Sequence, residues 1–138
     1  MRRDIPSRRP VTVPVATGRW VLEMPFSVPL SLNDRQVWAV KAKAVKAWRG
    51  AAWGLARNQR IPPCRRITVE LLYVPRDDRA RDPLNLVASL KACEDGLVDA
   101  GIIPDDSSAF HTSVMPVITR KGPPRPGGNR IWLVITAV

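Results

Sequence analysis

A chain of 138 residues is long enough for one domain with its own core and too short for two ordinary domains. Because 45% of its residues are hydrophobic and five are tryptophan, its fourteen prolines do not indicate wholesale disorder. The net charge of +10 favours an anionic partner such as DNA, RNA or an acidic membrane surface, and nucleic acid is the commonest of these for so basic a domain.

The few cysteines and histidines limit the chemistry. Cys64 and Cys93 lie far apart without CxxC spacing, so neither a disulfide framework nor a structural zinc site is indicated. His111 is the only histidine, which argues against a histidine-based zinc site or catalytic triad, so catalysis should depend on carboxylates. No apolar run approaches the roughly 20 residues that span a bilayer, and the basic start lacks a signal's apolar segment. We therefore expect a cytoplasmic protein of a bacterial cell or phage-infected host, with no membrane partner.

The first third of the chain predicts an arm, a strand and a helix. Residues 1–18 carry two arginine pairs and three prolines, which predicts a flexible basic arm before a domain at 19–138. Alternating apolar residues predict a strand over 19–28, placed at an edge or interrupted by Pro25. Turn and capping residues then precede a helical pattern at 35–58.

The predicted first helix has an apolar stripe with basic residues mostly off it. Its stripe comprises Val37, Val40, Ala44, Trp48, Ala51 and Leu55. The basic residues beside it are Lys41, Lys43, Lys46, Arg49 and Arg57. They form either a flank that faces nucleic acid or a solvated polar face.

The rest of the chain predicts a strand, a helix and two further strands. A buried strand is expected over 66–74, and a helix from Pro83 to about residue 100 has the stripe Leu86, Leu90, Cys93 and Leu97. Gly101 is suited to end that helix. Strands at 113–119 and 130–138 are joined by the loop KGPPRPGGN. The order β-α-β-α-β-β predicts a single α+β domain, with a mixed sheet packed against two helices.

Charge is distributed unevenly along the chain. Residues 77–106 contain eight acidic and three basic residues, whereas the remainder contains four acidic and nineteen basic ones. An acidic cluster does not help a protein to bind nucleic acid, but Mg²⁺ prefers carboxylate oxygens and is commonly held by one or two of them together with substrate phosphates. Asp82, Asp105 and Asp106 flank the second helix, so they form a metal site only if the fold brings them together. The alternative is a solvated acidic loop with helix caps.

The same segment contains a recognisable motif. It comprises Arg81-Asp82-Pro83-Leu84-Asn85-Leu86, followed by Lys91, Asp95, Gly101 and Asp105-Asp106-Ser107. This resembles the signature of the RusA family of Holliday junction resolvases, which has Asp-x-Asp-Asn, a lysine in the following helix, an Ala-Gly turn and an Asp-Asp pair. The likeness is strongest over residues 75–110, with weaker support from Ser31 and Asn33. The predicted order of elements also agrees with that family.

The resemblance implies a homodimeric endonuclease, dependent on Mg²⁺ with Mn²⁺ as an alternative, that resolves branched DNA by paired nicks. It implies that Asp82 and Asp106 are catalytic metal ligands with Asp105 beside them, and that Lys91 assists. Lys91 fits only if about one extra helical turn is allowed after Asn85; otherwise it is a surface lysine paired with Asp95. Contacts with DNA are expected from Asn85 and from the basic residues Lys41, Lys43, Lys46, Arg49, Arg79, Arg81 and Lys121.

Leu84 departs from the family pattern, because it stands where the second catalytic carboxylate is expected. Leucine cannot ligate a metal or accept a proton, so Asp78, Asp95 or Asp105 would have to substitute. A second hypothesis is therefore a catalytically impaired protein that still binds DNA junctions. A third, a basic RNA-binding or ribosome-associated module, explains the net charge but not the acidic segment.

Overall fold

The computed structural model describes residues 18–26, 28–30, 38–77, 80–119 and 129–137. Within these ranges the chain forms a single α+β domain with a mixed sheet and two helices, as predicted. Its elements are strand β1 (Gly18–Glu23), helix α1 (Trp38–Asn58), strand β2 (Ile67–Val74), a 3-10 turn (Pro83–Leu86), helix α2 (Val87–Asp99), and strands β3 (His111–Ser113), β4 (Val117–Ile118) and β5 (Arg130–Ala137). The predicted arm lies outside the described residues except for Gly18, which begins β1.

The sheet is mixed because β2 has an antiparallel neighbour on one side and parallel neighbours on the other. The order is β1-β5-β2, with β3 and β4 both on the far edge of β2. β5 is antiparallel to β1 and to β2, whereas β3 and β4 are parallel to β2. Along β2, Ile67, Val69 and Leu71 are fully buried and alternate with half-buried residues. One face of the sheet therefore lies against the core.

Two prolines shorten the predicted strands. The expected strand at 113–119 is wrong as a continuous element, since β3 ends at Ser113 and pairing resumes only at Val117. Pro116 lies between them and has no N–H to donate to the ladder. Pro25 has a similar effect on β1, which ends at Glu23 rather than at residue 28, although Met24 N still donates to Ile131 O at 2.9 Å.

Helix α2 is buried along the predicted stripe of Leu86, Leu90, Cys93 and Leu97. It packs tightly against α1 at Gly96, where an added Cβ would lie 2.3 Å from the carbonyl oxygen of Arg49. Helices can approach this closely only where a side chain is missing. None of the helices in the described ranges combines the length and the apolar character needed to cross a bilayer.

The buried face of α1 differs from the predicted stripe. Trp48 is buried as expected, but Ala52 and Ala56 are the other buried residues of this helix, and Val40 is 52% exposed. The contact between Gly96 and Ala52 fixes which side of α1 faces α2. Because Ala51 and Ala52 are equally apolar, periodicity could not choose between them. Val37 lies outside the described residues.

The end of α2 directs the acidic pair into solvent. Gly101 has φ +78°, a left-handed conformation that suits glycine, and its N–H donates to Val98 O at 2.9 Å. The chain then buries Ile102 and Ile103 in the core. Asp105 and Asp106 follow after Pro104 and are exposed.

Candidate functional site

Asp82 begins the segment that leads into α2. Its carboxylate Oδ1 accepts a hydrogen bond from Leu84 N at 3.0 Å, and its carbonyl accepts one from Asn85 N at 3.0 Å. Pro83 follows at the first position of the 3-10 turn, where its missing N–H costs nothing. The Asp-Pro sequence is thus a capping signal, and one carboxylate oxygen of the exposed Asp82 is already engaged.

A concave surface of about 800 Å³ opens beside Asp82. It is lined by Pro29, Leu30, Tyr73, Ala80, Arg81, Asp82, Pro83, Asn85, Leu86 and Ile118. One side is fixed by the buried Ser89, whose Oγ accepts a hydrogen bond from Leu30 N at 2.8 Å. Asp82 and Asn85, both predicted site residues, therefore share this concavity. Lys91 and Asp106 are not among its lining residues.

Lys91 links α2 to the acidic pair. Its Nζ donates to Asp106 Oδ2 and, at 3.0 Å, to Asp95 Oδ1. The hydrogen bond from Lys91 lowers the pKa of Asp106 below its usual range, and the same bond raises the pKa of Lys91. Lys91 therefore pairs with Asp95, as the four-residue spacing predicted, and also contacts Asp106, while its catalytic role stays a prediction. Asp105 instead accepts a hydrogen bond from Ser107 N at 2.8 Å within a tight turn.

A buried polar cluster that the sequence analysis missed lies next to this pair. Glu94 Oε2 is 3.1 Å from His111 Nε2 and also accepts a hydrogen bond from Ser113 Oγ; the Glu94 and His111 side chains are 6% and 8% exposed. Both partners meet the same ring nitrogen, so the group is not a catalytic triad, in which the acid and the hydroxyl contact opposite nitrogens. The cluster fastens β3 to α2. Its sequence signal was an acidic residue within the apolar stripe of α2, between Leu90 and Leu97.

The predicted aspartates are not gathered into one metal cluster. In the ranges that the structure describes, no group of three or more His, Cys, Asp or Glu side chains is placed to hold a metal ion, so Asp82, Asp105 and Asp106 do not form such a group. Their donors are nonetheless carboxylate oxygens, and Mg²⁺ commonly takes only one or two of these and completes its shell with water and substrate phosphate. The use of Mg²⁺ by these carboxylates stays a prediction.

Two of the predicted DNA-contacting arginines are engaged within the protein. Arg81 pairs with Asp77 at 2.7 Å and lies over the ring of Tyr73. Arg49 forms two hydrogen bonds to Asp99, at 2.5 and 2.8 Å, and this contact lowers the pKa of Asp99. The pair of Arg49 and Asp99 joins α1 to α2, which sequence spacing alone could not reveal, whereas Arg81 and Asp77 lie four positions apart in the chain.

The other predicted nucleic-acid contacts differ in accessibility. Lys43 and Lys46 are exposed on α1, and Lys41 is half-buried. Arg79 and Lys121 lie outside the described residues, as does Asp78. The exposed lysines of α1 are therefore the accessible cations among the described candidates on that helix.

Comparison of the chain with known protein families and with curated proteins gives no match.

Proposed function

We propose that this chain is a Mg²⁺-dependent, structure-selective endonuclease of the RusA type, which resolves Holliday junctions or other branched DNA. The observation that supports this best is the contact between Lys91 Nζ and Asp106 Oδ2. These two residues are fifteen positions apart in the chain. The resemblance assigns both to one active site, and tertiary contact between them is what that assignment requires.

The charges of this pair suit phosphodiester hydrolysis. Because Lys91 lowers the pKa of Asp106, that carboxylate is anionic throughout the neutral range. Both side chains are about half exposed, and exposed ion pairs are weak, so each can exchange its partner when substrate arrives. Lys91 would then stabilise charge developing on the scissile phosphate. Asp82 and Asp106 would hold Mg²⁺, which when bound lowers the pKa of a coordinated water and polarises the phosphate.

Two copies of the chain would act together. Resolution of a four-way junction needs matched nicks in two opposing strands, and a twofold-symmetric homodimer presents two identical sites in the required relation. Water adds to phosphorus in each nick, the bond to one ester oxygen breaks, and that oxygen leaves with a proton. Each site would perform this reaction once.

A second candidate is a protein that binds junctions without cutting them. Leu84 occupies the position of the expected second carboxylate, and its side chain is 54% exposed in the 3-10 turn. The absence of that carboxylate favours lost cleavage. Because Leu84 is exposed, an aspartate there would meet little steric or desolvation cost.

A nicking assay separates these two functions. A synthetic four-way junction labelled on each strand is incubated with the wild-type protein in Mg²⁺, in Mn²⁺ and in chelator. We expect metal-dependent nicks that Asp106→Asn and Lys91→Ala abolish. Glu23→Gln serves as the matched control, because Glu23 is an exposed carboxylate paired with Arg130 on the opposite edge of the sheet from β3.

Two other outcomes of these assays would reject the nuclease proposal. Junction binding without nicks in either metal, with nicks gained on Leu84→Asp, would select the binding protein over the nuclease. Preference for duplex RNA over junction DNA in competition, at one stated salt concentration, would reject both candidates.

A further inference from the structure

Two large aromatic side chains are exposed on the basic helix. Trp38 is 81% exposed and Trp53 is 44% exposed, although tryptophan is usually well buried. They lie about four helical turns, or roughly 22 Å, apart and on the same side of α1. Neither belongs to the proposed cleavage site.

Trp53 borders a hollow on the exposed side of α1. The hollow has a volume of about 590 Å³ and is lined by Ala42, Val45, Lys46, Arg49, Gly50, Trp53 and Asp99. A Cβ added at Gly50 would meet nothing within 4 Å, so the surface there is open to a flat group. The Arg57 guanidinium lies 5.4 Å from the Trp53 ring centroid, a cation–π contact that orients the indole.

The charge of α1 determines what can occupy this hollow. The helix carries five cations and no acidic residue; they are Lys41, Lys43, Lys46, Arg49 and Arg57. The single carboxylate at the hollow, Asp99, is held by both hydrogen bonds from Arg49. A second copy of the same face would bring like charges together, whereas a polyanion with flat apolar groups matches both the cations and the indoles.

We propose that this face of α1 is a stacking platform for a single nucleic-acid strand, with a base entering the hollow beside Trp53 and phosphates meeting Lys43 and Lys46. The strand must be unpaired, because bases in a duplex stack on one another and offer only their edges in the grooves. Base stacking on an indole is tolerant of sequence, since every base has a π face. The platform does not depend on cleavage by Asp82 and Asp106.

Fluorescence anisotropy with labelled single-stranded dT12 tests the platform in the full chain. Trp53→Ala should weaken binding by about 5- to 100-fold, Trp53→Phe should retain most of it, and Trp38→Ala should have a smaller effect of the same sign. Val40→Ala is the matched control, because Val40 is an exposed apolar residue of α1 that does not line the hollow. It should leave binding unchanged.

Salt dependence separates stacking from charge. Trp53→Ala should leave the slope of log affinity against log salt concentration unchanged. Lys46→Ala should reduce the magnitude of that negative slope by about 0.7, because one phosphate contact is lost. A parallel titration with rU12 identifies whether RNA or DNA is the preferred strand. If Trp53→Ala binds both strands as tightly as the wild-type protein does, the proposal is wrong. It is also wrong if the wild-type protein sediments as a dimer and Trp53→Ala as a monomer, because the face would then be a contact between two copies of the chain.

Discussion

Replacing Gly96 by alanine is expected to destabilise the protein because α1 and α2 touch at this residue. An added Cβ would lie 2.3 Å from Arg49 O, 2.9 Å from Ala52 Cβ and 3.1 Å from Trp53 N. Two of these atoms belong to the α1 backbone and cannot rotate away. The helices must therefore separate, which also disturbs the neighbouring pair of Arg49 and Asp99.

The magnitude follows from two opposing terms. Overpacking of a well-packed interior costs about 1–3 kcal/mol, and a clash with backbone atoms belongs at the upper end of that range. Alanine in place of glycine inside a helix returns about 1 kcal/mol. We expect a net loss of about 2 kcal/mol in the free energy of unfolding.

Gly54→Ala is the matched control, since an added Cβ at this helical glycine meets nothing within 4 Å. It should stabilise the protein by about 0.5–1 kcal/mol. Urea unfolding followed by tryptophan fluorescence measures both variants, and unchanged slopes with opposite shifts in midpoint are expected. If Gly96→Ala is as stable as the wild type, the described helix contact is wrong.

Three further predictions concern titrating and buried groups. His111→Ala should lower the free energy of unfolding by about 1–3 kcal/mol, because it leaves the buried Glu94 short of a partner; an unchanged urea midpoint would contradict this. The pKa of Asp106, followed by carboxyl ¹³C NMR, should lie below 3.8 and should rise in Lys91→Ala. Identical titration curves in the two proteins would refute the contact between Lys91 and Asp106. Since the folded-state pKa is lowered, the stabilisation from this pair is present above the unfolded pKa and is lost as pH falls through the folded value. Burial raises the pKa of the Cys64 and Cys93 thiols, so neither should react with a thiol reagent until urea unfolds the protein; rapid labelling of the native state would count against their burial.

Elements with strong local signals were predictable from the sequence. Pro83 begins the 3-10 turn that precedes α2 and Gly101 follows its end, and all four residues of the predicted stripe are buried, although Glu94 is buried beside them. β2 was likewise predicted to within a residue, because its β-branched and apolar run has few alternatives. Local sequence signals were therefore sufficient to predict both elements.

Features that depend on tertiary partners were predicted less well. Which side of α1 is buried depends on its contact with Gly96 of α2. The periodicity of apolar residues cannot show whether Ala51 or Ala52 is buried. The interruption of the edge strand follows from Pro116, which has no N–H to donate to the ladder.

The candidate site shows the same division. The pair of Lys91 and Asp95 follows from i,i+4 spacing, whereas the contact of Lys91 with Asp106 was accessible only through the family resemblance. Engagement of Arg49 by Asp99 and burial of Glu94 against His111 each join separate elements. No spacing rule predicts such contacts.

Anomalous diffraction from crystals of the protein soaked with Mn²⁺ and bound to an uncleavable junction tests the central claim most directly. The proposed nuclease requires one peak within about 2.2 Å of carboxylate oxygens from both Asp82 and Asp106, beside a backbone phosphate. A bound junction without a peak, or a peak remote from either aspartate, would contradict it.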